Sequence, residues 1–335
     1  MRAFFTRLLG LVFILVLLAA GGAWWWLNEP MTLKLPQGAQ VLDLEIEPGT
    51  SANTVAGVVT DSGVALPTAL LQQWFRWSGQ ARQIKAGSYE ITPGTTPRTL
   101  LSMLVRGDQA LRHVTLVEGW NFSQVRAALQ KAEQLAPESA GLSPEMIMEK
   151  LGRPGVHPEG RFFPDTYTYA KGASDLAVLQ RAARAMDKRI DAAWAMRSPD
   201  TPLKTVNEAL ILASIVEKET GKPADRGQIA GVFVNRLRIG MLLQTDPSVI
   251  YGLGDRFSGN LRKRDLQTDT PYNTYTRAGL PPTPIAMPGR AAMLAAVQPA
   301  PTPALYFVAR GDGTSQFSAS LDEHNRAVNK YIRGK

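Results

Sequence analysis

The sequence predicts an α+β protein that follows a single N-terminal transmembrane helix and becomes mainly helical, with a small β element, toward its C-terminus. Three observations carry this expectation. Leu8 to Leu27 contains no charged residue. A strand, glycine, helix pattern recurs three times in the first half of the chain. Residues 206–220, VNEALILASIVEKET, place apolar side chains almost all round a helix, which implies a buried one.

The charge-free run comes first. At ~1.5 Å of rise per residue it spans roughly the hydrocarbon thickness of a bilayer. Arg2 and Arg7 precede it, so the positive-inside rule leaves residues 1–7 in the cytoplasm and the bulk of the chain outside. Trp24, Trp25 and Trp26 fall at its outer end, where indole rings favour headgroups. A cleaved leader is the alternative, since Ala19, Ala20, Gly21, Gly22 and Ala23 are small enough for a peptidase. The length of the run and the tryptophans beyond it favour a retained anchor at residues 8–27.

Composition narrows the classes of function. Hydrophobic residues make up 44% of the chain and charged residues 20%, ample for buried cores. With no cysteine, disulfides, thiol catalysis and cysteine metal sites are excluded. The three histidines, His113, His157 and His324, lie far apart, and no HExxH pair, GxSxG elbow or GxxxxGK[ST] loop occurs. Neither a metal nor any other cofactor is implied. The net charge of +8 is scattered, and its densest run, Arg262-Lys263-Arg264, is followed at once by Asp265. No aromatic and basic stripe is present, so nucleic acid is not expected as a partner. Lipid headgroups or an acidic polymer suit the charge better.

Residues 28–40 read as a linker. The repeat follows: Glu47-Pro-Gly49, Thr92-Pro-Gly94 and Val117-Glu-Gly119 each precede a helix signal, with an aliphatic residue six positions after the glycine. Leu42, Leu44 and Ile46 alternate as a half-buried strand does. Ser51, Thr96 and Ser123 are the expected N-caps, and Pro97 suits a first helical position. Two small α+β units are expected, at 41–110 and 111–200. The first has the order strand, helix (52–62), helix (67–78), strand (84–91), which resembles the LysM module, a small peptidoglycan-binding fold. A structural spacer is the alternative. In the second unit, the aromatic-rich segment 157–169 could line a sugar cleft or cap a core, and residues 174–194 read as a long amphipathic helix.

The last domain, 201–335, holds the most informative stretch. Glu217 lies eleven residues after Val206 and returns to the apolar stripe, so its carboxyl should resist ionisation. A general acid working near neutral pH requires that property. Glu219 lies about 200° away and is expected in solvent. Gly221 and Pro223 are expected to stop the helix. Beyond it, Asn235, Gln244, Thr245, Asp246, Tyr272, Asn273 and Tyr275 bring together amides, hydroxyls and tyrosines of the kind that bind sugar hydroxyl and N-acetyl groups. Each is equally suited to capping a loop. A strand is expected at 305–309.

LASIVEKET, FVNRLRIGMLLQTDPSVIYGLG, YNTYTRAGLPPTPIAMPG and LYFVARGDGTSQFS together resemble the endolytic murein transglycosylases, the YceG-like family. The resemblance runs from about residue 41 to 331. It implies a LysM-like unit, then a lysozyme-like catalytic domain with Glu217 as its acid/base. It also implies cleavage of the β-1,4 bond between N-acetylmuramic acid and N-acetylglucosamine within nascent peptidoglycan strands, leaving 1,6-anhydro ends. By the same resemblance the enzyme works in the periplasm, tethered to the inner membrane beside peptidoglycan synthases, and ends glycan polymerisation. Two alternatives stand beside it. A hydrolytic muramidase would use Glu219, Asp246 or Asp225 as a second carboxylate. A non-catalytic protein would only bind peptidoglycan.

Overall fold

The computed structural model describes residues 2–36, 39–219 and 222–334. The chain divides into two compact units, Met1–Arg112 and His113–Lys335. It is a mixed α+β protein with one N-terminal apolar helix and a helix-dominated body carrying small two-stranded sheets.

In the first unit, α1 (Arg2–Asn28) contains a segment, Leu9–Asn28, of mean hydropathy 2.0. It is the one helix among the described residues long and apolar enough to cross a membrane. There follow β1 (Leu42–Ile46), α2 (Ala52–Asp61), α3 (Thr68–Trp77), β2 (Gly87–Ile91) and α4 (Pro97–Arg106). The alternation in β1 puts Leu42, Leu44 and Ile46 inward, and the strand pairs antiparallel with β2, Leu44 opposite Tyr89. Val59, Leu71, Phe75 and Leu104 close the core beneath this ribbon. Ser51 caps α2 by accepting from the Thr54 N–H, and Thr96 forms a capping box with Thr99 ahead of Pro97. β2 starts at Gly87 rather than at 84, and a single 3-10 turn at Ala81–Gln83 precedes it. The segment expected as a linker lies against this unit: Met31 is buried and Leu33 bridges Val64.

The second unit starts at His113, within β3 (Leu111–Thr115), and continues through α5 (Phe122–Lys131), α6 (Pro144–Lys150), β4 (Thr166–Ala170) and α7 (Asp175–Ala195). β3 pairs with β4. One core lies here, built on Phe122, Val125, Leu129, Ile147, Phe162, Val178 and Leu179. The N-cap of α5 is Asn121, not Ser123. The Asn121 side chain accepts from the Gln124 N–H, and Gln124 accepts from the Asn121 N–H. This reciprocal box satisfies two N–H groups that a cap at Ser123 would leave outside the helix. Asn121→Ala is expected to cost about 1 kcal/mol, read as a lower urea midpoint with an unchanged slope.

The rest is α8 (Val206–Glu219), α9 (Pro223–Arg238), α10 (Asp246–Leu253), α11 (Lys263–Gln267), α12 (Arg290–Val297), the hairpin β5 (Tyr306–Ala309) and β6 (Ser315–Ser318), and α13 (Leu321–Tyr331). Ala209 to Val216 on α8 are all buried, as the all-round apolar pattern requires. They pack against α7, α9 and α12 in a second core with Phe233, Met293 and Val297. α8 ends at Glu219, ahead of Pro223 as expected, and Pro223 also stands in the first turn of α9, where its missing N–H costs nothing. Gly221 lies outside the described residues.

The segment 157–169 caps a core. Phe162 is fully buried and stacks on Phe122 at 5.3 Å, and Phe163, Tyr167 and Tyr169 are buried with it. Glu159 is buried in the same segment. Its two carboxyl oxygens accept from the Phe122 N–H at 3.1 Å, and one accepts from the Tyr251 hydroxyl at 3.1 Å. Burial pushes this carboxyl up from 4.5 to about 7, although those hydrogen bonds pull the other way. The fold therefore favours the protonated form. Its contribution to stability is full below about pH 4.5 and is lost as pH rises through about 7. Glu159→Gln keeps an acceptor oxygen and cannot ionise. Relative to the parent it should gain stability between pH 5 and pH 8, on the order of 3 kcal/mol. Urea midpoints that move in parallel at the two pH values would contradict this.

Candidate active site

The last turn of α8 carries two carboxyls that face different surroundings. Glu217 is partly exposed, and its Oε2 accepts a hydrogen bond from the Gly289 N–H at 2.8 Å. Gly289 is the N-cap of α12, so this donor is one of the free amides that a helix start leaves over. Burial, then the charge of Glu118, hold the Glu217 carboxyl above the ordinary range. The Gly289 bond and the charges of Arg226 and Lys218 oppose them.

Two chain segments frame this carboxyl. The turn after β3 runs through Glu118 and Gly119, and the strap before α12 runs through Ile285 to Gly289. They are tied together: the Gly119 N–H donates to Met287 O at 2.9 Å, and the Met287 N–H donates to Trp120 O at 2.7 Å. Lys218 Nζ donates to Gly119 O at 3.2 Å, joining α8 to the same turn. Gly119 has φ +77, and a Cβ there would come within 4.0 Å of Glu217 Cγ. The third glycine of the sequence repeat thus makes the turn that lies against α8 at Glu217.

Glu219 departs from expectation. It is only partly exposed, and Thr245 donates its hydroxyl to Glu219 Oε1. Helical geometry set its direction correctly, but the 244–246 loop covers that direction. Burial raises the Glu219 carboxyl, helped by Asp246 and opposed by the Thr245 bond and by Arg236. Glu219, Arg236, Gln244, Asp246, Tyr275 and His324 line a pocket of about 370 Å³. There Tyr275 donates its hydroxyl to Asp246 Oδ1 at 2.6 Å.

Of the expected binding residues, Gln244, Asp246 and Tyr275 therefore gather at Glu219, with Thr245 beneath them. The others are committed elsewhere. Asn235 Nδ2 donates to Thr302 O at 2.8 Å and to Ala304 O at 3.1 Å. Asn273 is buried and its Nδ2 donates to three carbonyls, those of Asp265, Leu266 and Thr268. The Tyr272 hydroxyl pairs with Thr283 at 2.9 Å, and its ring packs edge-on against Tyr251. Asp225, one of the candidate second carboxylates, accepts from the Ser315 N–H at 2.7 Å and holds the start of β6.

Sequence reading missed Glu118, Arg226 and Gly289 as neighbours of Glu217. Gly289 stood inside the quoted YNTYTRAGLPPTPIAMPG stretch and Glu118 inside the third repeat, but neither pattern says that the two meet. Arg226 Nε is buried and, among the described residues, has no hydrogen-bond partner, and the charge of Arg226 acts on Glu217. Among the described residues no group of three or more His, Asp or Glu side chains is placed to hold a metal ion.

An apolar N-terminal helix is followed by a helix-dominated α+β body, with a half-buried carboxyl at the end of a buried helix. The chain belongs to the YceG-like family, which it matches over residues 44–330. It is 30% identical over 311 residues to the endolytic murein transglycosylase of Bacillus subtilis, covering 88% of this chain and 86% of that one. The protein of that name from Streptococcus pneumoniae is 26% identical over 341 residues, and this chain spans 59% of its length. The crystal structure of a YceG-like protein from Listeria monocytogenes superposes with a TM-score of 0.53 at 27% identity, covering 86% of this chain and 98% of the other.

Proposed function

We propose that this protein is an endolytic lytic transglycosylase of peptidoglycan, with Glu217 as its single acid/base. The observation that carries the reading is the Glu217 carboxyl itself. It is half-buried, raised in proton affinity, and, among the described residues, committed through one oxygen to a backbone N–H. Family membership and the murein transglycosylase activity for which its relatives are named support the same substrate and reaction.

In this reading Glu217 protonates the oxygen leaving from the anomeric carbon of N-acetylmuramic acid. The substrate's acetamido group steadies the positive charge that develops. Glu217, now a carboxylate, takes the proton of the muramic acid 6-hydroxyl, which closes on the anomeric carbon to give a 1,6-anhydro end. No water is consumed. The attacking hydroxyl belongs to the same sugar, and its high effective concentration lets it outrun water. Arg226 suits a substrate that carries carboxylates.

The first unit is read as LysM-like, supported by its strand, helix, helix, strand order and antiparallel pairing. The second is read as lysozyme-like, supported by the glutamate in the last turn of a buried helix. α1 is read as a single-pass inner-membrane anchor with the catalytic body in the periplasm, where nascent strands and their synthases meet it. Arg7 ahead of the apolar segment supports that orientation.

A second reading makes Glu219 the acid, favoured by the convergence of Gln244, Asp246 and Tyr275 in its pocket. The test incubates the full chain in detergent with uncrosslinked glycan strands, beside Glu217→Gln and Glu219→Gln, and weighs the fragments. Anhydro ends from the parent and from Glu219→Gln, with none from Glu217→Gln, are the expected result. Reducing ends would mean a hydrolase. Loss in Glu219→Gln alone would move the chemistry to the second pocket. Binding without cleavage by the parent would leave a binding protein.

A further inference from the structure

Gly289 raises a question that backbone geometry does not answer. Its angles, φ −79 and ψ 172, are open to any residue, so glycine is not needed there for conformation. What a side chain would meet there is the end of one other side chain, that of Glu118. A Cβ built on Gly289 would lie 1.8 Å from Glu118 Oε1 and 2.3 Å from its carboxyl carbon. The Glu118 carboxyl fills the volume that the missing side chain leaves. On its other side Gly289 gives its N–H to Glu217 Oε2. One residue thus separates two carboxyls, brought there from the turn before α5 and from the end of α8.

Glu118 is free to act on its neighbours by charge. It is exposed, and among the described residues it makes no hydrogen bond and no ion pair. A like charge beside a carboxyl favours that carboxyl's protonated form, and such pairs concentrate at catalytic sites. The turn that carries Glu118 is itself well anchored, by Gly119, Trp120 and Lys218 as described above.

We propose that Glu118 is the second carboxyl of the active site, a positioning residue that acts through Glu217, and that Gly289 is glycine in order to seat it. The inference rests on the reading of Glu217 as the acid/base. The negative charge of Glu118 keeps Glu217 in its proton-donating form at the start of the cycle. Once Glu217 has given up its proton, the same charge makes it a stronger base toward the 6-hydroxyl. Glu118 also supplies negative potential where the sugar becomes positive, without forming a bond to it. The other charged groups facing Glu217 are Lys218 on its own helix and Arg226 from α9, and both act in the opposite sense. The Gly289 N–H at the start of α12 sides with them. Glu118 is the one charge in this set that favours the proton.

The test is the pH dependence of strand cleavage by the full chain in detergent, from pH 4 to 9. The high-pH limb reports loss of the Glu217 proton. In Glu118→Gln this limb should move to lower pH by roughly 0.5–1 unit, the size of a like charge a few ångströms away near a surface. Glu118→Asp keeps the charge and should bring the limb back toward the parent's position. Gly289→Ala, which the backbone tolerates, pushes the carboxyl out and should move the limb as Glu118→Gln does. Because these two variants reach the same carboxyl from different residues, one of them failing to fold leaves the other to decide. A limb that stays with the parent in the folded variants, while Glu217→Gln is inactive, overturns the role of Glu118 alone. Cleavage by Glu217→Gln overturns the reading of Glu217 and this inference with it.

Discussion

Glu217→Gln is expected to lower the turnover of glycan strands by about 10³-fold or more, with strand binding and the melting transition little changed. The loss should be large because one residue serves both half-steps. General acid or base catalysis by a placed side chain is worth typically ~10²–10⁴-fold. Here the same carboxyl first delivers a proton and then removes one. Glutamine matches glutamate in shape, and its side-chain oxygen can still accept from the Gly289 N–H, so the link between α8 and α12 survives. It has no proton to give at useful strength. The effect should therefore fall on kcat and leave KM within a few-fold. A rate within tenfold of the parent would end the assignment. A collapse of the melting transition would show instead that Glu217 is needed for packing.

The sequence made the direction of Glu217 readable but not its neighbours. Helical periodicity over Val206–Glu219 gives the angle at which each side chain leaves the axis, and the buried run Ala209 to Val216 follows from it. That arithmetic also turned Glu219 away from Glu217. It could not say that Thr245 waits there, because what covers a helix face is decided by chain far away in sequence. The meeting of Glu118 with Gly289 is hidden for the same reason: a turn after one strand and the cap of a late helix share no local pattern. Ser51 and Thr96 were readable as caps because the cap and its amide partner lie within four residues of each other. Asn121 shows the limit of a preference for hydroxyl caps: it stands two residues after its glycine, as Ser51 and Thr96 do, and its box is equally local.

The polar loop residues teach the converse. Asn235 and Asn273 carry the functional groups that sugars need, yet both amides are taken by carbonyls of neighbouring loops. Amides that stitch loops and amides that bind ligands look alike in sequence, because the same donors satisfy both. Only a structure shows which acceptors claim them. Gln244 reads differently: it lines the Glu219 pocket from a backbone at φ 50, a conformation that non-glycine residues seldom adopt.

Phe162→Ala is expected to have the largest effect on stability, about 3–5 kcal/mol. The segment 157–169 concentrates aromatic residues with an acid and turn formers, a composition as fitting for a sugar cleft as for a core. Packing separates the two. Phe162 is wholly shielded from solvent, stacks on Phe122 and belongs to the core formed with α5 and α7. Truncation removes the transfer energy of the ring and leaves a cavity that the flanking helices cannot close without moving α5, whose first residue is Phe122. The same segment carries Glu159, which accepts the Phe122 N–H, so loosening Phe162 also disturbs the start of α5. That start follows the turn bearing Glu118 and Gly119. Moderate loosening should therefore reach the active site, lowering kcat while the variant remains folded at low temperature. A fall in the urea midpoint with its slope unchanged is the expected signature. An unchanged midpoint combined with weaker strand binding would instead make the aromatic segment a wall of the glycan cleft, and Phe162 a ligand contact rather than a core residue.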